Sequence, residues 1–198
     1  TGSYKDLFTL ANEKSDEMIF SIQHINQDGY GSTTQFYCGT RSSFGSCWNT
    51  YLISPNLVDL YENADGSPFN WDDVIPGYSA MPAAKREVFF FRDNLTTAEI
   101  TAATNRGLDM SLYLPTGNEA RIKAAYANRD PRLNANVIVP YATYLGRPID
   151  GADRTFTSRW PARLESSPTF DLFTDTRSNF YYLHRKYVYE GSTQLTTR

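Results

Sequence analysis

The chain reads as mainly α-helical with short β-strands and a high loop content, an α+β arrangement. Three observations predict this. Capped helical stretches recur along the sequence, the strand-like runs are short, and tracts rich in Pro, Gly, Asp and Ser separate them. Its 198 residues suit one domain with a core of ordinary size. With 40% hydrophobic and 21% charged residues, the composition is that of a folded chain rather than a disordered one. So many loops in one compact domain point to part of a larger body.

The elements follow in order. Ser3 to Leu10 suits a short helix, with Ser3 as cap and Tyr4, Leu7 and Phe8 on one face. Glu17 to Ile25 alternates around Met18, Phe20 and Ile22, which suits a strand, with Ile19 and Phe20 expected to bury it. Ser54-Pro55 opens a helix, with Ser as N-cap and Pro at the first helical position. Leu57, Leu60 and Tyr61 are expected on its inner side, and Asp65-Gly66 at its end. Glu87 to Phe91 is either a short buried strand or a turn packed on the core. Thr96-Thr97-Ala98-Glu99 is a capping box, so a helix should run to about Asn105 before Gly107. A further helix covers Asn118 to Asn128, with Ile122 and Tyr126 inward, and Asp130-Pro131 stops it. Asn136 to Pro140 is β-like, a long polar loop holds Trp160, and Phe180 to Tyr189 alternates as a closing strand.

Residues 28–51 stand apart: DGYGSTTQFYCGTRSSFGSCWNTY holds six aromatics, four glycines and both cysteines. No periodicity survives there. Large rings on a hydroxyl-rich, flexible backbone make a recognition surface, and sugars suit it, since their C–H faces lie on rings while their hydroxyls need polar partners. A long loop whose rings fill the core has the same composition. Cys38 and Cys47 lie in this segment, without a CxxC pattern or a histidine at metal spacing. They read either as a disulfide clasping the loop or as two buried thiols.

Net charge is −3, which argues against nucleic acid as partner. Residues 1–84 carry three Lys or Arg against ten Asp or Glu, and residues 85–198 carry sixteen against twelve. No stretch is long and apolar enough to span a bilayer as a helix, and both ends read as cuts within a longer chain. There is no nucleophile elbow, phosphate-cradling loop or zinc-protease motif, and no cofactor is implied. His24 and His184 sit in strand-like runs and read as structural. A glycosidase would need two carboxylates across a sugar, and Asp72 or Asp73 beside Trp71 is the candidate.

Four segments in series carry a resemblance: Asp16-Glu17-Met18-Ile19-Phe20-Ser21-Ile22; Pro55 to Glu62 with Asp65-Gly66; Asn128-Arg129-Asp130-Pro131-Arg132-Leu133; and Tyr182 with Arg185-Lys186-Tyr187-Val188. Together they resemble the SusD/RagB family of outer-membrane nutrient-binding lipoproteins. The resemblance implies one domain fragment over residues 1–198: the loop-rich, ligand-binding part of a larger tetratricopeptide-type helical scaffold, without its lipidated start and its C-terminal helices. It implies a binding protein rather than an enzyme, exposed on the outer membrane of Bacteroidetes-type bacteria and held there by a lipid anchor outside this fragment. The implied partners are a glycan, or a peptide in some branches, and a SusC-like TonB-dependent transporter.

The matching segments are scaffold, so ligand residues rest on chemistry alone. Trp48, Tyr37 and Tyr51 are expected to stack on sugars, with Asn49, Gln35 and Arg41 as hydrogen-bond donors. Trp71 and Tyr78 are expected at the rim. On an exported protein, a Cys38–Cys47 bond would act as a clasp.

Overall fold

The computed structural model describes residues 4–8, 12, 15–16, 19, 33–40, 47–146, 152–163, 170–171, 182–186, 188 and 190. Among them are seven short α-helices: α1 Thr34–Cys38, α2 Pro55–Asp59, α3 Trp71–Val74, α4 Ala83–Arg86, α5 Thr97–Asn105, α6 Asn118–Ala127 and α7 Pro131–Asn136. Five short strands join them: β1 Val137–Ile138, β2 Thr143–Gly146, β3 Arg154–Thr157, β4 Phe170–Asp171 and β5 Leu183–His184. The fold is therefore mostly helical with small sheets, as the sequence predicts. No described helix is long and apolar enough to cross a membrane.

Local chemistry places the helices. In α5 the Thr96 hydroxyl accepts from the Glu99 amide while the Glu99 carboxylate accepts from the Thr96 amide, a complete capping box. The helix ends before Gly107, whose φ of +85° suits a residue without a β-carbon. Burial alone would raise the Glu99 pKa. Hydrogen bonds from Thr96 and the Arg92 guanidinium outweigh it and hold the carboxyl below its ordinary range. α6 buries Ile122 and Tyr126 as expected.

Asp130-Pro131 both stops α6 and starts α7, which the sequence reading did not anticipate. Pro131 takes the first helical position, and the Asp130 carboxylate accepts from the Arg132 amide and from Arg132 Nε, both at 2.8 Å. The neighbouring Arg129 is buried. Its Nη2 donates to the Val58 and Tyr61 carbonyls at 2.8 and 2.7 Å, and its guanidinium lies 3.5 Å from the Phe69 ring centroid. This joins the end of α6 to the end of α2.

Several expectations are corrected. α2 spans only five residues, so one side chain, Val58, turns fully inward, while Leu57 and Leu60 face solvent and Tyr61 is half-buried. Ser54 sits at its N-cap without a side-chain capping bond. The helix ends before Asp65-Gly66, which instead form a separate turn: Asp65 accepts from the Ser67 amide and hydroxyl, and Gly66 has φ +83°. Glu87–Phe90 is a 3-10 helix packed on the core, not a strand. Tyr4–Phe8 is likewise a 3-10 turn. Ile19 is exposed rather than buried, and the rest of the expected strand near it lies largely outside the described residues.

Two small sheets lie in the second half. β1 pairs antiparallel with β5, Val137 opposite His184 and Ile138 opposite Leu183. This matches the β-like run and the centre of the closing strand. The expected polar loop around Trp160 instead contains a second sheet, in which β3 pairs antiparallel with β2 and parallel with β4. Trp160 is buried under α5 with Val88, Phe91, Leu108 and Tyr113. The largest apolar cluster gathers Val58, Trp71, Ile122, Tyr126, Leu133 and Val137 from α2, α3, α6, α7 and β1, with Tyr78 and Phe89 from the 3-10 turns Tyr78–Ala80 and Glu87–Phe90. A third joins the two sheets through Ile138, Tyr144, Phe156 and Leu183, and takes in Cys38.

Candidate functional site

The segment that stands apart in the sequence forms one surface feature in the structure. α1 lies beside an extended segment, residues 47–51, and backbone bonds join them. The Trp48 amide donates to the Phe36 carbonyl at 2.9 Å, Asn49 to Gly39 at 2.8 Å and Tyr51 to Tyr37 at 3.1 Å. Along the extended segment Cys47 and Asn49 point inward, whereas Trp48 and Thr50 point outward. Asn49 has φ +38°, and Tyr51 after it also faces out.

The result is a run of four rings in contact. Trp48 lies 4.9 Å from Phe36 between centroids, Phe36 lies edge-on to Tyr37 at 5.2 Å, and Tyr37 lies 5.2 Å from Tyr51. Such pairs stabilise one another beyond the area they bury, so the rings are held before a ligand arrives. Trp48 is 49% exposed and Tyr51 57%, while Phe36 and Tyr37 are half-buried.

The inner side fixes the strip to the fold. Cys38 packs with Ile138, Phe156 and Leu183, and the Ile53 amide donates to the Tyr182 carbonyl at 3.3 Å. Gly39 leaves no room for a side chain. A β-carbon there would lie 2.5 Å from the Gln35 carbonyl oxygen and 2.9 Å from the Cys47 sulfur, so the two segments approach this closely only with glycine.

The structure brings Trp48, Tyr37, Tyr51 and Gln35 into one surface feature and adds Phe36, which joins Trp48 to Tyr37. Its position in the Phe36-Tyr37 pair was the available signal. Other assignments change. Asn49 is 6% exposed, so it supports the strip from beneath instead of donating to a ligand. Gln35 is half-buried, with Nε2 at 3.8 Å from the Cys47 sulfur. Arg41 lies outside the described residues. Cys38 and Cys47 are buried thiols not bonded to each other. Cys38 is turned into the inter-sheet cluster, and the Cys47 thiol donates to the Gln35 carbonyl at 3.3 Å. Burial pushes the Cys38 thiol pKa up.

Trp71 and Tyr78 are not rim residues. At 8% and 9% exposure they stack on one another at 4.9 Å inside the main core, with Trp71 Nε1 donating to Asp59 at 3.0 Å. Burial pushes the Tyr78 hydroxyl up to about 12. Both lie in or beside short helical turns whose aromatic faces must turn inward for the core to close. Asp72 accepts from the Ser79 amide at 3.0 Å. Hydrogen bonds from the Ser79 side chain and amide hold its carboxyl below the ordinary range. That is the opposite of the raised pKa a glycosidase's general acid requires.

A family model described as the SusD family matches residues 16–198 of the chain. No curated protein and no solved structure matches it.

Proposed function

The chain belongs to the SusD family of nutrient-binding proteins, and from that premise we propose that it binds glycans at a bacterial cell surface through the strip of Trp48, Phe36, Tyr37 and Tyr51. In this reading it is a surface-exposed outer-membrane lipoprotein that passes its ligand to a SusC-like TonB-dependent transporter and carries out no bond cleavage. The observation that carries the reading is the contiguous run of rings, two of them half in solvent. Flat rings take the C–H faces of successive sugars, and the exposed hydroxyls of Thr33, Thr34 and Thr50 offer hydrogen bonds beside them. Stacking on neutral sugars involves no ion pair, so affinity should change little with salt.

A glycan array with the protein, followed by incubation with the best-bound polysaccharide, tests this. Selective binding of neutral glycans without release of reducing ends is the expected result. Binding of peptides alone, or release of reducing ends, would overturn it.

A further inference from the structure

In an extended segment, side chains an odd number of positions apart point to opposite faces. Residues 47–53 keep that alternation with one exception. Cys47, Asn49 and Ile53 are buried, and Trp48, Thr50 and Leu52 are exposed. Tyr51 should turn inward with the odd-numbered residues, yet it is 57% exposed and lies against the Tyr37 ring. The departure follows Asn49, whose φ of +38° lies in the left-handed region. Backbone bonds pin the chain on both sides of that residue. The Trp48 amide donates to the Phe36 carbonyl before it, and the Tyr51 amide donates to the Tyr37 carbonyl after it. The Asn49 amide is itself held by the Gly39 carbonyl at 2.8 Å. A backbone fixed at these three points holds the left-handed conformation in place.

The consequence reaches the rings. With the turn at Asn49, Trp48 and Tyr51 share the outer face, Trp48 on Phe36 and Tyr51 on Tyr37. Without it, alternation would place them on opposite faces. The residue type fits this demand. Glycine enters the left-handed region freely and asparagine readily, alanine does so at a cost, and a β-branched residue is a strong outlier there.

We propose that Asn49 is the positioning residue of the strip: its left-handed backbone, rather than its buried side chain, sets Trp48 and Tyr51 on one face. The proposal rests on the strip as the binding surface and names the residue that fixes its geometry.

Three substitutions separate backbone from side chain, because the two roles rank them in opposite order. Asn49→Gly keeps the turn and removes the side chain, whereas Asn49→Ala and Asn49→Val keep more side-chain volume and oppose the turn. Nuclear Overhauser effects between the Tyr37 and Tyr51 rings in the free protein read the geometry without a ligand. They should persist in Asn49→Gly, weaken in Asn49→Ala and fade in Asn49→Val. Affinity electrophoresis through galactomannan, xyloglucan and pullulan reads binding. Asn49→Gly should stay within about twofold of wild type, Asn49→Ala should bind about fivefold more weakly and Asn49→Val roughly thirtyfold more weakly. A packing role would make Asn49→Gly the weakest binder, since it leaves the largest void. Weaker ring contacts or binding in Asn49→Gly than in Asn49→Ala, or wild-type ring contacts in Asn49→Val, would overturn the proposal. If none of the three polysaccharides retards the wild type, the glycan reading is at fault, and the ring contacts alone decide the role of Asn49.

Discussion

A chain carrying Trp48→Ala and Tyr51→Ala together is expected to lose about a hundredfold in glycan affinity while unfolding at the wild-type temperature. Each ring is an exposed anchor, and truncating such an anchor costs about 1.5–2 kcal/mol, or roughly tenfold or more in affinity. The two losses should combine almost additively, because Trp48 rests on Phe36 and Tyr51 on Tyr37, so each leans on a different neighbour. Stability should hardly move, since both rings are about half in solvent already. Calorimetric binding and a thermal melt on the same sample separate the two effects. Loss of affinity with loss of folding would assign the rings to packing instead.

Asn118→Ala is expected to destabilise the protein by about 3 kcal/mol or more, lowering the melting temperature by roughly 10 °C. Asn118 is fully buried at the start of α6. Its Nδ2 lies 3.2, 3.1 and 2.6 Å from the carbonyls of Val88, Phe89 and Phe91, and its Oδ1 accepts from Arg121. Two amide protons thus serve three carbonyls around the 3-10 turn. Alanine would take the side-chain donor from all three buried carbonyls, leaving Val88, among the described residues, only the Phe91 amide at 3.3 Å, and would remove one of the acceptors of Arg121, whose Nη2 keeps the Leu112 carbonyl. The same turn places Phe89 and Phe90 against the Trp71–Tyr78 stack, so its loss would loosen the main core. A denaturant melt measures the effect. A change below about 0.5 kcal/mol would mean that the carbonyls find other donors.

How much of this the sequence carried depended on how local each interaction is. α5 was legible from cap to terminal glycine because Thr96, Glu99 and Gly107 act within a few residues of one another. α6 was legible for the same reason, its inward face repeating at helical spacing. α2 was legible as a helix but not in its orientation: Arg129, about seventy residues away, and the core around Val58 decide which side turns in. Trp71 and Tyr78 show the same limit. Their rings fit a rim or a core equally well, and only the distant Phe90 and Tyr126 decide between them. The sheet of β2, β3 and β4 was missed because its strands are four residues or fewer and pair across long separations, as Phe156 does with Phe170. In the strip, composition singled out the segment that carries the exposed rings. Which residues faced out required the backbone bonds between α1 and residues 47–51, and these put Asn49 beneath the surface.

The distribution of the three tryptophans allows the central claim to be tested directly. Trp71 and Trp160 are buried, and Trp48 alone is exposed. Acrylamide should therefore quench one accessible component of the intrinsic fluorescence, and Trp48→Phe should remove it. Saturating the protein with its bound polysaccharide should shield that component. Polysaccharide binding that leaves Trp48 as open to quenching as before would contradict a ligand seated on the aromatic strip.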